Sequence, residues 1–162
     1  MKPVVALLLA LALLACPDAW ASKADLVVVN KTERKLYLFK DGEIIGEYMA
    51  AFGSNPEGHK IQEGDGRTPE GRYVLDWRNP NSRFYRAIHI SYPNARDRAR
   101  AAELGVDPGG SVMLHGLPNG LEDIGRSHVG KDWTDGCIAV TNQEMDEIWE
   151  KTPDGTPIEI IP

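Results

Sequence analysis

The chain has 162 residues, of which 42% are hydrophobic and 26% are charged, and its formal net charge at pH 7 is −6. A mildly acidic chain without a cluster of basic residues argues against nucleic acid and anionic membrane surfaces as partners. Its length suits one domain with one hydrophobic core rather than two.

The N-terminal residues have the pattern of an export signal. A lysine precedes an unbroken apolar run that is too short for a bilayer span of roughly 20 residues. Ala19-Trp20-Ala21 then offers the small-x-small pattern that signal peptidase accepts. We therefore predict a signal peptide over residues 1–21 and an exported domain over residues 22–162. The residues before Cys16 also resemble a lipobox, so lipid attachment at Cys16 is a second interpretation.

Predicted strands dominate the rest of the chain. Asp41-Gly42 lies between two apolar stretches and favours a two-residue hairpin turn, because both positions tolerate positive φ. Strands rich in β-branched and aromatic residues are predicted at residues 26–29, 35–40, 43–48, 72–77, 86–91, 111–114, 137–140 and 157–161.

Helices are few and short in this prediction. Residues 97–104 predict a surface helix that ends at Gly105. Thr141 and Glu144 form a capping-box pattern that opens a second, amphipathic helix. Residues 53–71 predict a long polar loop, and loops of this length in a compact domain are more often functional than idle. Together these elements predict a mainly β fold, a mostly antiparallel β-sandwich or open barrel with short peripheral helices.

Cys137 is the most informative residue of the predicted exported domain. Once Cys16 is removed, no second cysteine remains, which indicates a working thiol or an intermolecular disulfide. Gly136 before it lets a substrate carbonyl approach the backbone N–H groups. A thiol attacks as thiolate and therefore needs a nearby base. The alternative interpretation is a buried, inert cysteine.

His115 is the predicted base. It ends an apolar strand and precedes Gly116, so neighbouring strands would bring its imidazole to the thiol. His128 lies between the two strands and is a second candidate site residue. His89 alternates with isoleucines and predicts a structural or surface role. His59 could line a cleft, but a solvated loop histidine is the favoured interpretation.

Ligand types alone would also allow a metal centre. His115, His128, Asp135 and Cys137 are all groups that bind zinc. The sequence has no paired histidine spacing, however, and an imidazole suits the thiol without metal. We predict no metal and no other cofactor.

The ordered motifs resemble the L,D-transpeptidase (YkuD-type) catalytic domain over roughly residues 25 to 162. The matching segments are His115-Gly116, Ile124-Gly125 and Thr134-Asp135-Gly136-Cys137-Ile138, preceded by Thr68-Pro69-Glu70-Gly71. This sequence departs from the family pattern in two respects. Asp135 and Ala139 replace the histidine and arginine of many members, and residues 130–133 resemble an insertion.

The resemblance implies an acyltransferase that acts on peptidoglycan stem peptides in the periplasm or cell envelope. Cys137 would attack the carbonyl of the third stem residue, D-alanine would leave, and an amine of a second stem would complete a 3→3 cross-link. The N–H groups of Gly136 and Cys137, with Thr134, would stabilise the oxyanion, while the carbonyl of Gly116 would orient the base. Such an enzyme serves cell wall biogenesis or degradation and cell shape.

The residues that hold the substrate are less clearly predicted. His128, Asp135 and Arg126 are the candidates, and Lys131 or an arginine of loop 53–71 could also replace the missing family arginine. Asp135, if ionised and close, would raise the pKa of the Cys137 thiol.

Several alternatives share this fold. Water as acceptor gives an L,D-carboxypeptidase, and a lysine of an envelope lipoprotein gives protein anchoring or release. A non-catalytic murein-binding module and a dimer linked through Cys137 remain further alternatives.

Overall fold

The structure, a computed structural model, describes residues 22–162. The predicted signal peptide and Cys16 lie outside the described residues. The described part contains two α-helices, α1 (Ala95–Leu104) and α2 (Asn142–Lys151), and a 3-10 segment (Glu122–Gly130). Its strands are β1 (Leu26–Asn30), β2 (Lys35–Lys40), β3 (Glu43–Met49), β4 (Gly71–Ser82), β5 (Tyr85–Ile90), β6 (Met113–His115), β7 (Ile138–Ala139) and β8 (Thr156–Ile161).

These strands form one curled sheet in the order β3-β2-β1-β8-β4-β5-β6-β7. The pairs β1–β8 and β6–β7 are parallel, and the other neighbours are antiparallel. The chain beyond β3 then reaches the opposite edge of the sheet, where Ala51 bridges to Ala139 of β7. The mainly β fold with short peripheral helices predicted from the sequence is confirmed.

The core lies inside this curled sheet, where alternate strand residues point inward. Met145 and Ile148 of α2 cover the core and are fully buried. The largest fully buried side chains also include Leu36, Leu38, Phe52, Leu75, Ile88, Ile90, Leu114, Ile138 and Ile158. This core fixes the strands whose ends carry the candidate site.

Local sequence signals account for several element boundaries. The β2–β3 hairpin has the predicted two-residue turn, with positive φ at Asp41 and Gly42. Thr141 caps α2 and forms the predicted capping box with Glu144. Helix α1 ends at Gly105 as predicted, but it begins two residues early because Asn94 caps it.

Other boundaries differ from the prediction. Strand β7 holds only two residues, so Cys137 precedes the strand instead of beginning it. Strand β4 continues past its predicted end to Ser82, and a register shift between Asn79 and Ser82 accommodates Pro80. The 3-10 segment was not predicted. No helix within residues 22–162 has the length and apolar character needed to cross a membrane.

Candidate active site

Two adjacent strand ends bring Cys137 and His115 together. Strands β6 and β7 pair in parallel with His115 opposite Ala139, so Cys137 lies opposite Met113. The backbone N–H of Met113 donates to Sγ of Cys137 at 3.4 Å. Cys137 and His115 line the same cavity, which has a volume of about 290 Å³. The arrangement places a thiol and an imidazole at one opening in the sheet.

The surroundings of Cys137 keep its thiol protonated. Burial raises the pKa of the thiol, and the N–H of Met113 opposes that effect. The Asp135 carboxylate raises the pKa further, whereas the Lys60 ammonium lowers it. The thiol also donates to the carbonyl of Ser111 at 3.8 Å. Cys137 therefore needs a base to become a nucleophile.

The ring of His115 is held in one tautomer. Its Nδ1 lies 2.7 Å from the carbonyl oxygen of Gly116. Because a carbonyl only accepts hydrogen bonds, Nδ1 carries the proton and Nε2 is the basic nitrogen. Burial lowers the pKa of His115 to about 4, and the bond to Gly116 only partly opposes it. His115 is thus a neutral imidazole near neutral pH.

Aromatic rings surround this imidazole and explain its burial. The ring centroid of Phe84 lies 4.5 Å from that of His115, and Trp133 contacts the same ring edge-on at 5.8 Å. The indole N–H of Trp133 donates to Nδ1 of His128 at 3.5 Å. His128 is 5% exposed, and burial lowers its pKa. The structure therefore places His128 behind Trp133.

Gly116 is fixed on both sides by neighbouring segments. Its N–H donates to the carbonyl of Phe84 at 3.1 Å. A Cβ on Gly116 would lie 2.6 Å from Oδ1 of Asn142, which accepts from the N–H of Leu117. A side chain at this position would therefore displace either the hairpin or Asn142. Asn142 was not predicted as a positioning residue.

Thr134 closes a tight turn around the thiol. Its Oγ1 donates to the carbonyl of Cys137 at 2.7 Å and accepts from the N–H of Gly136 at 3.2 Å. Gly136 has φ +126°, and a Cβ there would lie 2.6 Å from the carbonyl oxygen of Arg67. The N–H of Gly136 is therefore already paired, whereas that of Cys137 has no hydrogen-bond partner within residues 22–162.

The long loop packs a buried ion pair beneath this turn. Nζ of Lys60 lies 2.9 Å from Oδ1 of Asp65 and 3.7 Å from the position that a Cβ of Gly136 would take. Burial would raise the pKa of Asp65, but the N–H groups of Ile61 and Arg67 and the Lys60 ammonium outweigh it and lower the pKa to about 2. The loop thus forms an ordered support for the Cys137 turn.

The structure separates Arg126 and His128 from the cavity of Cys137. Arg126 is exposed, pairs with Glu144 at 2.9 Å and lines a different cavity. Neither Arg126 nor His128 is among the described residues that line the cavity of Cys137. Asp135 and Lys131 are exposed beside the turn.

The remaining predictions concern histidine and metal. His59 is not solvated as predicted, because its ring accepts from the N–H of Glu70 and contacts Asp97 at 3.1 Å. His89 pairs with Asp76 and stacks on Trp77. No group of three or more potential metal ligands is clustered within residues 22–162.

Four residues of the candidate site were missed at the sequence level: Phe84, Lys60, Arg83 and Asn142. The β4–β5 hairpin tip supplies five residues of the cavity wall, namely Asn79, Asn81, Ser82, Arg83 and Phe84. Strand signals predicted the two strands, but neither the hairpin between them nor its contact with β6. The unusual length of loop 53–71 was the only signal for Lys60.

Comparison with known proteins gives consistent matches. Residues 24–160 match the family model of the L,D-transpeptidase catalytic domain, YkuD. The candidate L,D-transpeptidase YafK of Escherichia coli (strain K12) is 36% identical over 131 residues, covering 76% of this chain and 45% of YafK. The candidate L,D-transpeptidase YqjB of Bacillus subtilis (strain 168) is 28% identical over 133 residues, covering 82% of this chain and 68% of YqjB. The chain thus spans less than half the length of YafK.

Among solved structures, the helical cell shape determining protein Pgp2 of Campylobacter jejuni matches with a TM-score of 0.65. The two sequences are 27% identical. The match covers 86% of this chain and 48% of the Pgp2 chain.

Proposed function

The chain belongs to the L,D-transpeptidase (YkuD) catalytic domain family, and on that premise we propose that it is a peptidoglycan L,D-transpeptidase with Cys137 as nucleophile. One observation carries the proposal: Cys137 and the neutral base His115 line one cavity at adjacent strand ends. Family membership implies peptidoglycan as substrate. The site geometry supports the finer chemistry proposed below.

In the first step, Nε2 of His115 takes the proton of the Cys137 thiol while Sγ attacks the carbonyl carbon of the third stem residue. Because both groups are neutral beforehand, the proton moves as substrate is attacked and not in a preformed ion pair. The N–H of Cys137 is free to donate to the developing oxyanion. Thr134 and Gly136 hold that N–H in place.

In the second step, the C–N bond breaks and the leaving D-alanine amine takes the proton from His115. A thioester joins the stem to Cys137. The side-chain amine of a second stem then attacks the thioester carbonyl, His115 accepts the amine proton and returns it to the thiolate, and the 3→3 cross-link is released. Gly116 maintains the productive tautomer throughout.

The place of action is part of the proposal. Residues 1–21 would act as a signal peptide, and residues 22–162 would work on the cell wall in the periplasm. Pgp2 of Campylobacter jejuni is a determinant of helical cell shape. By analogy, we propose that loss of this protein alters wall cross-linking and cell shape.

The acceptor is tested by incubating the purified protein with tetrapeptide muropeptides and analysing products by mass spectrometry. We expect 3→3 dimers in the wild type and none in Cys137→Ala. Tripeptide without dimers would identify an L,D-carboxypeptidase, and attachment to or release of a lipoprotein lysine would identify a protein-linking enzyme. Binding without turnover would identify a murein-binding module and contradict the proposal. A protein dimer that becomes monomeric on electrophoresis only after reduction would indicate the role linked through a Cys137 disulfide.

A further inference from the structure

Among residues 22–162, one formally charged residue lines the cavity of Cys137. Its wall otherwise consists of amide, hydroxyl, aromatic and apolar groups together with the thiol and imidazole. Arg83 contributes the single guanidinium. A small cavity with one cation at its wall favours a ligand that carries one negative charge there.

The backbone of Arg83 is fixed relative to His115. The carbonyl of Arg83 accepts from the N–H of Asn119 at 3.0 Å. The next residue, Phe84, packs its ring on His115 at 4.5 Å and accepts from the N–H of Gly116 at 3.1 Å. The hairpin tip and the His115–Gly116 segment therefore form one unit. Relative to His115, therefore, only the side chain of Arg83 can move.

The guanidinium of Arg83 forms no contact that stabilises the described fold. Arg83 is exposed and makes no ion pair or side-chain hydrogen bond with any described residue. Arg86, three positions later, differs because it pairs with Asp146 at 3.1 Å and lies against Trp149. Arg83 thus keeps all five N–H donors available to a ligand.

We propose that Arg83 is the anion anchor of the cavity and binds a carboxylate of the acyl-donor peptide. The proposal rests on the proposed function, because it assumes that a stem peptide occupies this cavity. The bidentate geometry of guanidinium with carboxylate would orient the scissile carbonyl toward Cys137. Arg83 is then a residue that positions substrate, and it takes no part in bond formation.

Two carboxylates of the donor have the right chemistry. One is the C-terminal carboxylate of the leaving amino acid, which lies two atoms beyond the scissile nitrogen. The other is the side-chain carboxylate of a diamino acid at the third position. Donor peptides that are amidated at one carboxylate or the other distinguish these sources.

The test measures binding separately from turnover. In the Cys137→Ala protein, calorimetry gives the Kd of the free tetrapeptide stem and of its two amidated forms. The same titrations are made with double variants that combine Cys137→Ala with Arg83→Gln, Arg83→Lys or the control Arg96→Gln. Arg96 is exposed on α1, outside the cavity, and its loss removes the same charge.

We expect Arg83→Gln to weaken binding of the free peptide about 10- to 100-fold, the range for a lost charge-assisted contact. Arg83→Lys should weaken binding of the free peptide less, and Arg96→Gln should leave its affinity unchanged. One amidated peptide lacks the carboxylate that Arg83 binds. It should bind Cys137→Ala weakly, and adding Arg83→Gln should not weaken its binding further. Equal weakening of all three peptides by Arg83→Gln, no weakening of any, or no binding to Cys137→Ala would each overturn the proposal. Turnover by the wild-type protein, assayed in parallel, tests the proposed function independently.

Discussion

The ammonium group of Lys60 lies 3.7 Å from the position that a Cβ of Gly136 would take. Its side chain is almost fully buried, with the carboxylate of Asp65 at 2.9 Å as its counter-ion. Among the groups that act on the thiol, Lys60 favours the thiolate and Asp135 disfavours it. The reactivity of Cys137 therefore depends on a residue 77 positions earlier in the sequence.

Replacing Lys60 by Met should raise the pKa of Cys137, because the cation is removed while the Asp65 carboxylate remains. The rate of alkylation by iodoacetamide, followed from pH 6 to 10, should shift to higher pH. Lys40→Met is the matched control, since Lys40 lies partly exposed at the end of β2, where it pairs with Asp25 and Asp41. Superimposable profiles for Lys60→Met and wild type would contradict this assignment.

Sequence reasoning selected Cys137 and His115 as candidates because each has a distinctive neighbour and an apolar strand beside it. It did not identify Phe84 or Lys60, since nothing local links a hairpin tip or a loop lysine to a distant thiol. Arg126 was selected for its charge alone. Its partner Glu144 belongs to the capping box of α2, and the sequence contains no signal for that pairing.

The segment between the 3-10 helix and the Cys137 turn is held by Asp132. Its carboxylate accepts two bonds from Arg34 at 2.8 and 2.7 Å and one from the N–H of Phe52 at 3.1 Å. The next residue, Trp133, is thereby placed against His115. Residues 130–133, which resembled an insertion in the sequence, thus connect the turn between β1 and β2 to the candidate site.

Asp132→Asn should destabilise the domain by about 1–3 kcal/mol, because it breaks a bidentate pair in which the carboxylate side chain is only 9% exposed. Asp154→Asn removes the exposed partner of Arg78 and should cost less than about 1 kcal/mol. Urea denaturation of both variants measures the two free energies of unfolding. Equal losses would show that Asp132 has no special structural role.

Elements with local signals were predicted well, and elements that depend on tertiary contacts were not. Asp41-Gly42 and Thr141 set their turn and cap through their own backbone chemistry. The 3-10 segment has no such signal, and Gly125 interrupts it with a non-helical φ of +47°. Strand β7 is shortened because Thr134 folds the preceding residues into a turn.

For the whole molecule, buried histidine makes stability depend on pH. The pKa of His115 falls from 6.5 to about 4 on folding, and that of His128 also falls because of burial. Above pH 6.5 both histidine side chains are mostly neutral in the folded and in the unfolded chain. Below it the unfolded chain binds protons that the folded chain does not, so stability declines as the pH falls from 6.5 toward 4.

The free energy of unfolding should therefore drop between pH 7 and pH 5, with a contribution of about 2 kcal/mol from His115. His115→Asn removes the titrating ring, so its curve should be shallower by that amount even if the variant is less stable throughout. Urea titrations at several pH values measure both slopes. Parallel curves for the two proteins would mean that His115 titrates normally in the folded state.

The central claim is that Cys137 carries the acyl group. Intact mass spectrometry of the exported protein, after brief exposure to a tetrapeptide muropeptide, tests it most directly. We predict a mass increase of one muropeptide minus D-alanine, located on Cys137 and absent from Cys137→Ala. Product formation by Cys137→Ala at the wild-type rate, or an adduct on any other residue, would contradict the account.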